Sequence, residues 1–161
     1  MNHPITSAIR VLREHKIEFE PHIFDYVEKG GTKHSAQVLS VDEHSVIKTL
    51  VFETDTKKPL IVLMHGSLQV STKELARFLK VKTITPVTPE KANKLTGYLV
   101  GGTSPFGTKT KMPIYVEKTI FDLEKIYING GKRGFLVSIE PKILREVLQI
   151  EEVEVGISAT N

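Results

Sequence analysis

The chain has 161 residues, 40% of them hydrophobic and 25% charged, with a net charge of +3. That balance suits one ordinary globular domain spanning residues 1–161. It has no Cys, which excludes disulfides, thiolate zinc sites, iron–sulfur clusters and a Cys nucleophile. It also has no Trp, and aromatics are 7%, too few for a stacking platform on single-stranded nucleic acid. The small positive excess permits an anionic partner such as RNA without requiring one. The N-terminal stretch lacks the apolar segment of a secretory signal, and no run reaches the ~18 apolar residues of a membrane span. A soluble cytoplasmic protein with no membrane partner is expected.

Along the chain, Ile5, Ala8, Ile9 and Leu12 recur at helical spacing and predict an amphipathic helix ending near Lys16. Phe19 to Phe24 reads as extended, with Pro21 placing it at a sheet edge or bulge. Lys29 to Thr32 reads as a loop and Ser35 to Leu39 as a brief helix. Val46–Glu53 and Leu60–Met64 are apolar, β-branched runs around a polar turn, the pattern of a hairpin. Ser71 and Glu74 form a capping box ahead of the apolar face Leu75, Phe78 and Leu79. Thr83 to Thr85 reads as a strand. Thr88 is an N-cap before Pro89, and Gly97 supplies the left-handed stop. Tyr98-Leu99-Val100, Ile114–Val116, Ile126–Ile128 and Phe135–Ile139 read as strands. Pro141 to Leu148 reads as a helix, and Val153 to Ile157 as a closing strand. Short strands among short helices predict a mixed α+β domain. No Gly-x-Gly-x-x-Gly follows the first strand, which disfavours a dinucleotide fold.

Two units carry the candidate chemistry: Gly97-Tyr98-Leu99-Val100-Gly101-Gly102-Thr103-Ser104-Pro105-Phe106-Gly107, and Ile126-Tyr127-Ile128-Asn129-Gly130-Gly131-Lys132-Arg133-Gly134. In each, an apolar segment runs into a Gly-Gly pair followed by polar or basic residues. Glycine there lets backbone approach a ligand closely and lets N–H groups converge on an anion or oxyanion. A tight turn is the competing explanation for either pair. Gly131-Lys132-Arg133 is not a phosphate loop, because Ser or Thr is missing at 133. Lys48, inside Val46-Ile47-Lys48-Thr49-Leu50, must point to an open face or a polar pocket. Strand alternation alone accounts for it equally well, with Ile47 and Thr49 on the opposite face. The six histidines, His3, His15, His22, His34, His44 and His65, show no metal-ligand spacing, and no cofactor is expected. Ser104 lacks the Gly-x-Ser-x-Gly elbow. No protein nucleophile or general base emerges, so water or the substrate itself would have to attack an ester.

Taken together and in order, the Lys-Thr-Leu run and the two Gly-Gly units resemble the YbaK/EbsC family, free-standing relatives of the editing insertion domain of bacterial prolyl-tRNA synthetase. The resemblance covers nearly the whole chain. It implies a mixed β-sheet or barrel-like core flanked by short helices. It implies hydrolysis of mischarged aminoacyl-tRNA, typically Cys-tRNA(Pro), with tRNA(Pro) and prolyl-tRNA synthetase as the expected partners. It maps Lys48 into the pocket, with Gly101 and Gly102 as backbone donors near the scissile ester. Phe24, Thr103, Ser104, Asn129, Gly130, Gly131, Lys132 and Arg133 then surround the substrate. The resemblance implies that, as in Cys-specific members, the substrate thiol attacks its own ester, which suits a chain without a nucleophile. Three positions depart from those members: Phe24 stands for Tyr, Asn129 for Ser and Leu136 for Asp. A non-catalytic module binding tRNA or synthetase, a deacylase for another amino acid such as Ala, and a hydrolase of small free esters are the alternative readings.

Overall fold

The computed structural model describes residues 2–158. Thr6 caps the first helix, α1 (Ser7–Glu14), by accepting from the Ile9 amide, and Ala8, Ile9 and Leu12 are its buried face. The helix stops two residues short of Lys16, which itself takes a left-handed backbone. Strand β1 (Glu20–Ile23) contains Pro21 and lies at a sheet edge, as a residue with no amide to donate demands. Helix α2 (Gly31–Leu39) begins earlier than the sequence suggests and takes in Gly31 and Thr32. The hairpin of β2 (Val46–Thr54) and β3 (Pro59–His65) forms as expected, in a register running from Ile47↔His65 to Glu53↔Pro59.

Strand β4 (Leu68–Val70) follows, then α3 (Thr72–Leu79). Only half of the capping box closes: Ser71 Oγ accepts from the Glu74 amide, while the Glu74 carboxylate turns to Arg77 at 2.8 Å. Leu75 is buried and Phe78 is exposed. After β5 (Ile84–Pro86), helix α4 (Pro89–Thr96) runs from its Thr88 cap to a left-handed Gly97. The remaining elements are β6 (Ile114–Glu117), β7 (Ile126–Lys132), β8 (Phe135–Ile139), α5 (Ile143–Val147), β9 (Ile150–Val153) and β10 (Gly156–Ser158).

The main sheet runs β1-β8-β7-β2-β3-β6-β9, with β5 also paired to β2. It is mixed: β2 and β7 are parallel, as are β3 and β6, and β6 and β9, while the other pairs are antiparallel. The predicted closing strand divides in two. Val153 ends the edge strand β9, whereas β10 leaves the sheet and pairs with β4.

Alternation along each strand separates two faces. Ile9, Leu12, Ile47, Ile61, Phe106, Ile126, Ile128 and Val137 build the larger core on one face. The opposite face is divided. Phe52, Val62, Met64 and Leu75 form one cluster there, and Ala36, Val46 and Leu136 form another, with Phe24 and Tyr127 against it. Lys48 sits on this second face, where it interrupts the apolar series Val46, Leu50, Phe52. No helix among the described residues is long and apolar enough to cross a membrane.

Candidate active site

Lys48 is half-buried, and its Nζ donates to the Leu68 carbonyl on β4. Burial pushes its ammonium below the usual lysine value, opposed by the nearby Glu43 carboxylate. Glu43 is itself fixed by the Thr32 hydroxyl, which donates to Oε2 at 2.7 Å. The acceptor side is anchored further back. His65 Nδ1 donates to the His44 carbonyl at 2.6 Å, and the Thr119 hydroxyl donates to His65 Nε2 at 2.7 Å. The His44 and His65 rings stack with centroids 3.6 Å apart, and His44 Nδ1 bonds Ser67 Oγ at 2.7 Å, next to Leu68. Burial lowers the His65 imidazole below its ordinary value.

Strand β7 lies parallel to β2, pairing Val46 with Tyr127 and Ile47 with Ile128. One further step puts Asn129 beside Lys48 on the same face of the sheet. Leu136 is directly across from Asn129 on β8. It is buried against Val46 and Ala36, so the wall beneath Asn129 is apolar. Phe24 joins this wall with its ring edge-on to His34 at 5.9 Å, and its amide donates to Gly134 at 2.9 Å.

The two Gly-Gly units take different structures. Tyr98-Leu99-Val100 is not a strand. Tyr98 is buried and its hydroxyl donates to the Phe106 carbonyl at 2.6 Å, while Leu99 and Val100 are exposed. With no neighbouring strand edge to pair with, the segment closes on itself as a loop. The Gly102 amide donates to the Leu99 carbonyl at 2.8 Å, and the Thr103 hydroxyl donates to the same oxygen at 3.3 Å. Ser104 is fully buried, and its Oγ accepts from the Phe106 amide at 3.1 Å. By contrast, Gly130, Gly131 and Lys132 belong to β7 itself, and the pairing slips between Asn129 and Lys132 in a bulge.

The structure brings these units together. A Cβ on Gly102 would lie 2.7 Å from the Arg133 amide nitrogen and 2.9 Å from the Lys132 carbonyl carbon, so only glycine lets the loop touch the hairpin backbone. Asn129 joins them as well: its Nδ2 donates to the Gly101 carbonyl at 3.1 Å, and its Oδ1 accepts from the Gly131 and Lys132 amides at 2.6 and 3.0 Å. Arg133 Nε donates to the Val100 carbonyl at 2.8 Å. The Gly130 carbonyl accepts from the Thr6 hydroxyl.

Sequence reasoning missed Tyr26. Its ring lies under the Arg133 guanidinium at 5.0 Å. Its hydroxyl would be 2.7 Å from a Cβ on Gly101, which has φ +90°. A phenol thus returns to the site two residues after the position where Phe24 lacks one. No periodicity or motif around Asp25-Tyr26-Val27 marks it in the sequence. No group of three or more metal-ligating side chains occurs among the described residues.

The surroundings of Gly101, an exposed residue, therefore offer a backbone N–H with no protein acceptor among the described residues, an amide, a guanidinium and a phenol. Such a set can bind and polarise a carbonyl. It holds no activated side-chain nucleophile.

Residues 30–147 match the aminoacyl-tRNA editing domain family. An Enterococcus faecalis protein named "Putative Cys-tRNA(Pro)/Cys-tRNA(Cys) deacylase EbsC" is 26% identical over 140 residues, which span 86% of this chain and 85% of that one. A proline–tRNA ligase of Streptococcus agalactiae is 26% identical over 152 residues. This match takes in 89% of the present chain but only 24% of the ligase. A crystal structure described as "a putative trans-editing enzyme for prolyl tRNA synthetase" superposes with a TM-score of 0.82 at 21% identity, covering 97% of this chain and 100% of that one. The chain belongs to the aminoacyl-tRNA editing domain family.

Proposed function

We propose that the protein is a trans-acting deacylase that hydrolyses the ester between a wrongly attached amino acid and the 3′ end of its tRNA. Cys-tRNA(Pro) is the first substrate to test. The observation that carries this reading is the free Gly101 N–H, presented at the surface by a loop that two side chains of the β7–β8 hairpin hold in place. The Gly102 N–H is engaged inside its own turn, and the Gly131 and Lys132 N–H groups are engaged by Asn129. Gly101 is accordingly the donor for the developing oxyanion. One such donor contributes about 2.7–4 kcal/mol in known oxyanion holes.

Lys48 lies on the Asn129 face and orients the aminoacyl end. Water attacks the ester, or the substrate's own thiol does so when the amino acid is Cys. In either case the ester C–O bond breaks and the tRNA 3′ oxygen takes up a proton. The apolar floor of Leu136, Val46 and Phe24 suits a small, weakly polar side chain. Cys and Ala both meet that description, and charged residues do not. Lys132, which is exposed, supplies positive charge for the tRNA backbone. The similarity to prolyl-tRNA synthetase insertions supports tRNA(Pro) as the carrier and the synthetase as a partner.

The test is a deacylation panel of Cys-tRNA(Pro), Ala-tRNA(Pro) and correctly charged Pro-tRNA(Pro), with and without the synthetase. Wild type is expected to release Cys or Ala and spare Pro, and Lys48→Ala to lose at least about tenfold in kcat/KM. Binding to tRNA without turnover on any member would instead favour the non-catalytic module.

A further inference from the structure

A trans peptide points its C=O and its N–H in opposite directions. Val100 and Gly101 share one such peptide, since the described chain has no cis bonds. Arg133 Nε donates to the carbonyl of that peptide at 2.8 Å. The grip therefore turns the Gly101 N–H away from the hairpin and out of the loop. The next peptide is held in the same way, with Asn129 Nδ2 on the Gly101 carbonyl at 3.1 Å. There the opposing Gly102 N–H points back into the turn and meets Leu99. Two consecutive peptides are thus set by two side chains of one hairpin, one leaving its N–H free and the other consuming it.

The guanidinium does more than aim the peptide. A cation on a carbonyl oxygen draws electron density through the amide and strengthens the N–H as a donor. The guanidinium also lies over the Tyr26 ring, 5.0 Å from its centroid, which supports it. The same ring stands against Gly101, so the support and the supported peptide close on each other.

From this geometry we infer that Arg133 is a positioning residue: lying over the Tyr26 ring and gripping the Val100 carbonyl, it aims and polarises the Gly101 N–H at the ester carbonyl. The inference rests on the deacylase reading above and assigns Arg133 a task other than contacting tRNA phosphate. The two tasks separate experimentally. A phosphate contact is served by any cation, whereas the grip on Val100 uses the Nε of a planar fork lying on a ring, which Lys cannot supply.

The experiment compares wild type with Arg133→Lys, Arg133→Gln and Tyr26→Leu. It combines steady-state deacylation over a range of salt with ¹⁵N–¹H spectra of the tRNA-free proteins. Arg133→Lys is expected to lower kcat about tenfold while KM and its salt dependence stay close to wild type. The Gly101 amide resonance should shift in all three variants, and Tyr26→Leu should show part of the kcat loss. Because Arg133 is exposed, the overall spectrum should otherwise persist. Full kcat in Arg133→Lys overturns the proposal, as does, in Arg133→Gln, a defect confined to KM with a salt slope reduced by about one. An unmoved Gly101 amide overturns it as well. A wild type inactive on every charged tRNA overturns the deacylase reading and the catalytic part of the proposal with it; the Gly101 shift then reports the coupling alone.

Discussion

The two Gly-Gly units look alike as sequence and behave as opposites as structure. After Val100 the glycines stand at the tip of a self-closed loop, and the amide of the first is free. After Asn129 they lie inside a strand, and a bulge feeds the Gly131 and Lys132 amides to the Asn129 side chain. One unit presents backbone and the other holds it. The difference arises from what stands before each pair. Leu99 and Val100 find no strand partner, while Tyr127 and Ile128 are locked between β2 and β8. A Gly-Gly pair thus becomes a donor or a clamp according to whether the residues ahead of it reach a sheet.

The contrast breaks most severely at Gly102. Replacing it with Ala drives a methyl into backbone on the hairpin side, where nothing can rotate away. Overpacking of this kind costs about 1–3 kcal/mol. The loop should lift from the hairpin, with a lower urea midpoint and deacylation at background. Full activity with unchanged stability would show that the contact between the units is dispensable.

Asn129 permits a finer cut. Asn129→Asp keeps an oxygen for the Gly131 and Lys132 amides but faces the Gly101 carbonyl with a second acceptor. Hydrogen exchange at 131 and 132 should stay slow while kcat falls by about threefold to tenfold, one hydrogen bond's worth. Asn129→Ala should lose both properties. Equal behaviour of the two variants would deny that one side chain serves both units.

The smallest effect concerns the far anchor of the site. The Gly101 side is held by an amide and a guanidinium. The Lys48 side is tied through Leu68 and Ser67 to the stacked His44 and His65. Because burial lowers the His65 pKa below its ordinary 6.5, the unfolded chain takes up a proton first as pH falls. The stability this ring contributes is therefore full above 6.5 and declines as pH drops toward the folded value. The urea midpoint of wild type should fall over that interval, and His65→Gln should flatten the decline. Parallel curves would remove His65 from the account.

Much of this was legible in short stretches of sequence. Thr88-Pro89 and Gly97 bracket α4 because caps act through neighbours a few residues away. The β2–β3 hairpin was legible because its turn is local. Lys48 could be placed on a face opposite Ile47 from alternation alone. What escaped was settled over long range. The strand reading of Tyr98–Val100 failed because an apolar run becomes a strand only where a partner edge exists. Strand β4 is three residues long, and its partner β10 lies far along the chain. Tyr26 has no periodic neighbours, and only the folded chain sets it beneath Arg133. The glycines were visible as residues, but which of their amides stays free depends on Leu99, Asn129 and Arg133 together.

The order of the main sheet leaves β1 and β9 at the two ends of its strand path, and unpaired margins invite templated growth between copies. Pro21 breaks the donor row along the first, and Glu151, next to a Glu152 paired with Arg145 at 2.6 Å, places negative charge along the second. The two ends are thus guarded by different means, one steric and one electrostatic. Of the two guards, only the acidic one weakens when salt rises or pH falls, so the β9 margin is where self-assembly of this protein would begin under acid or high ionic strength.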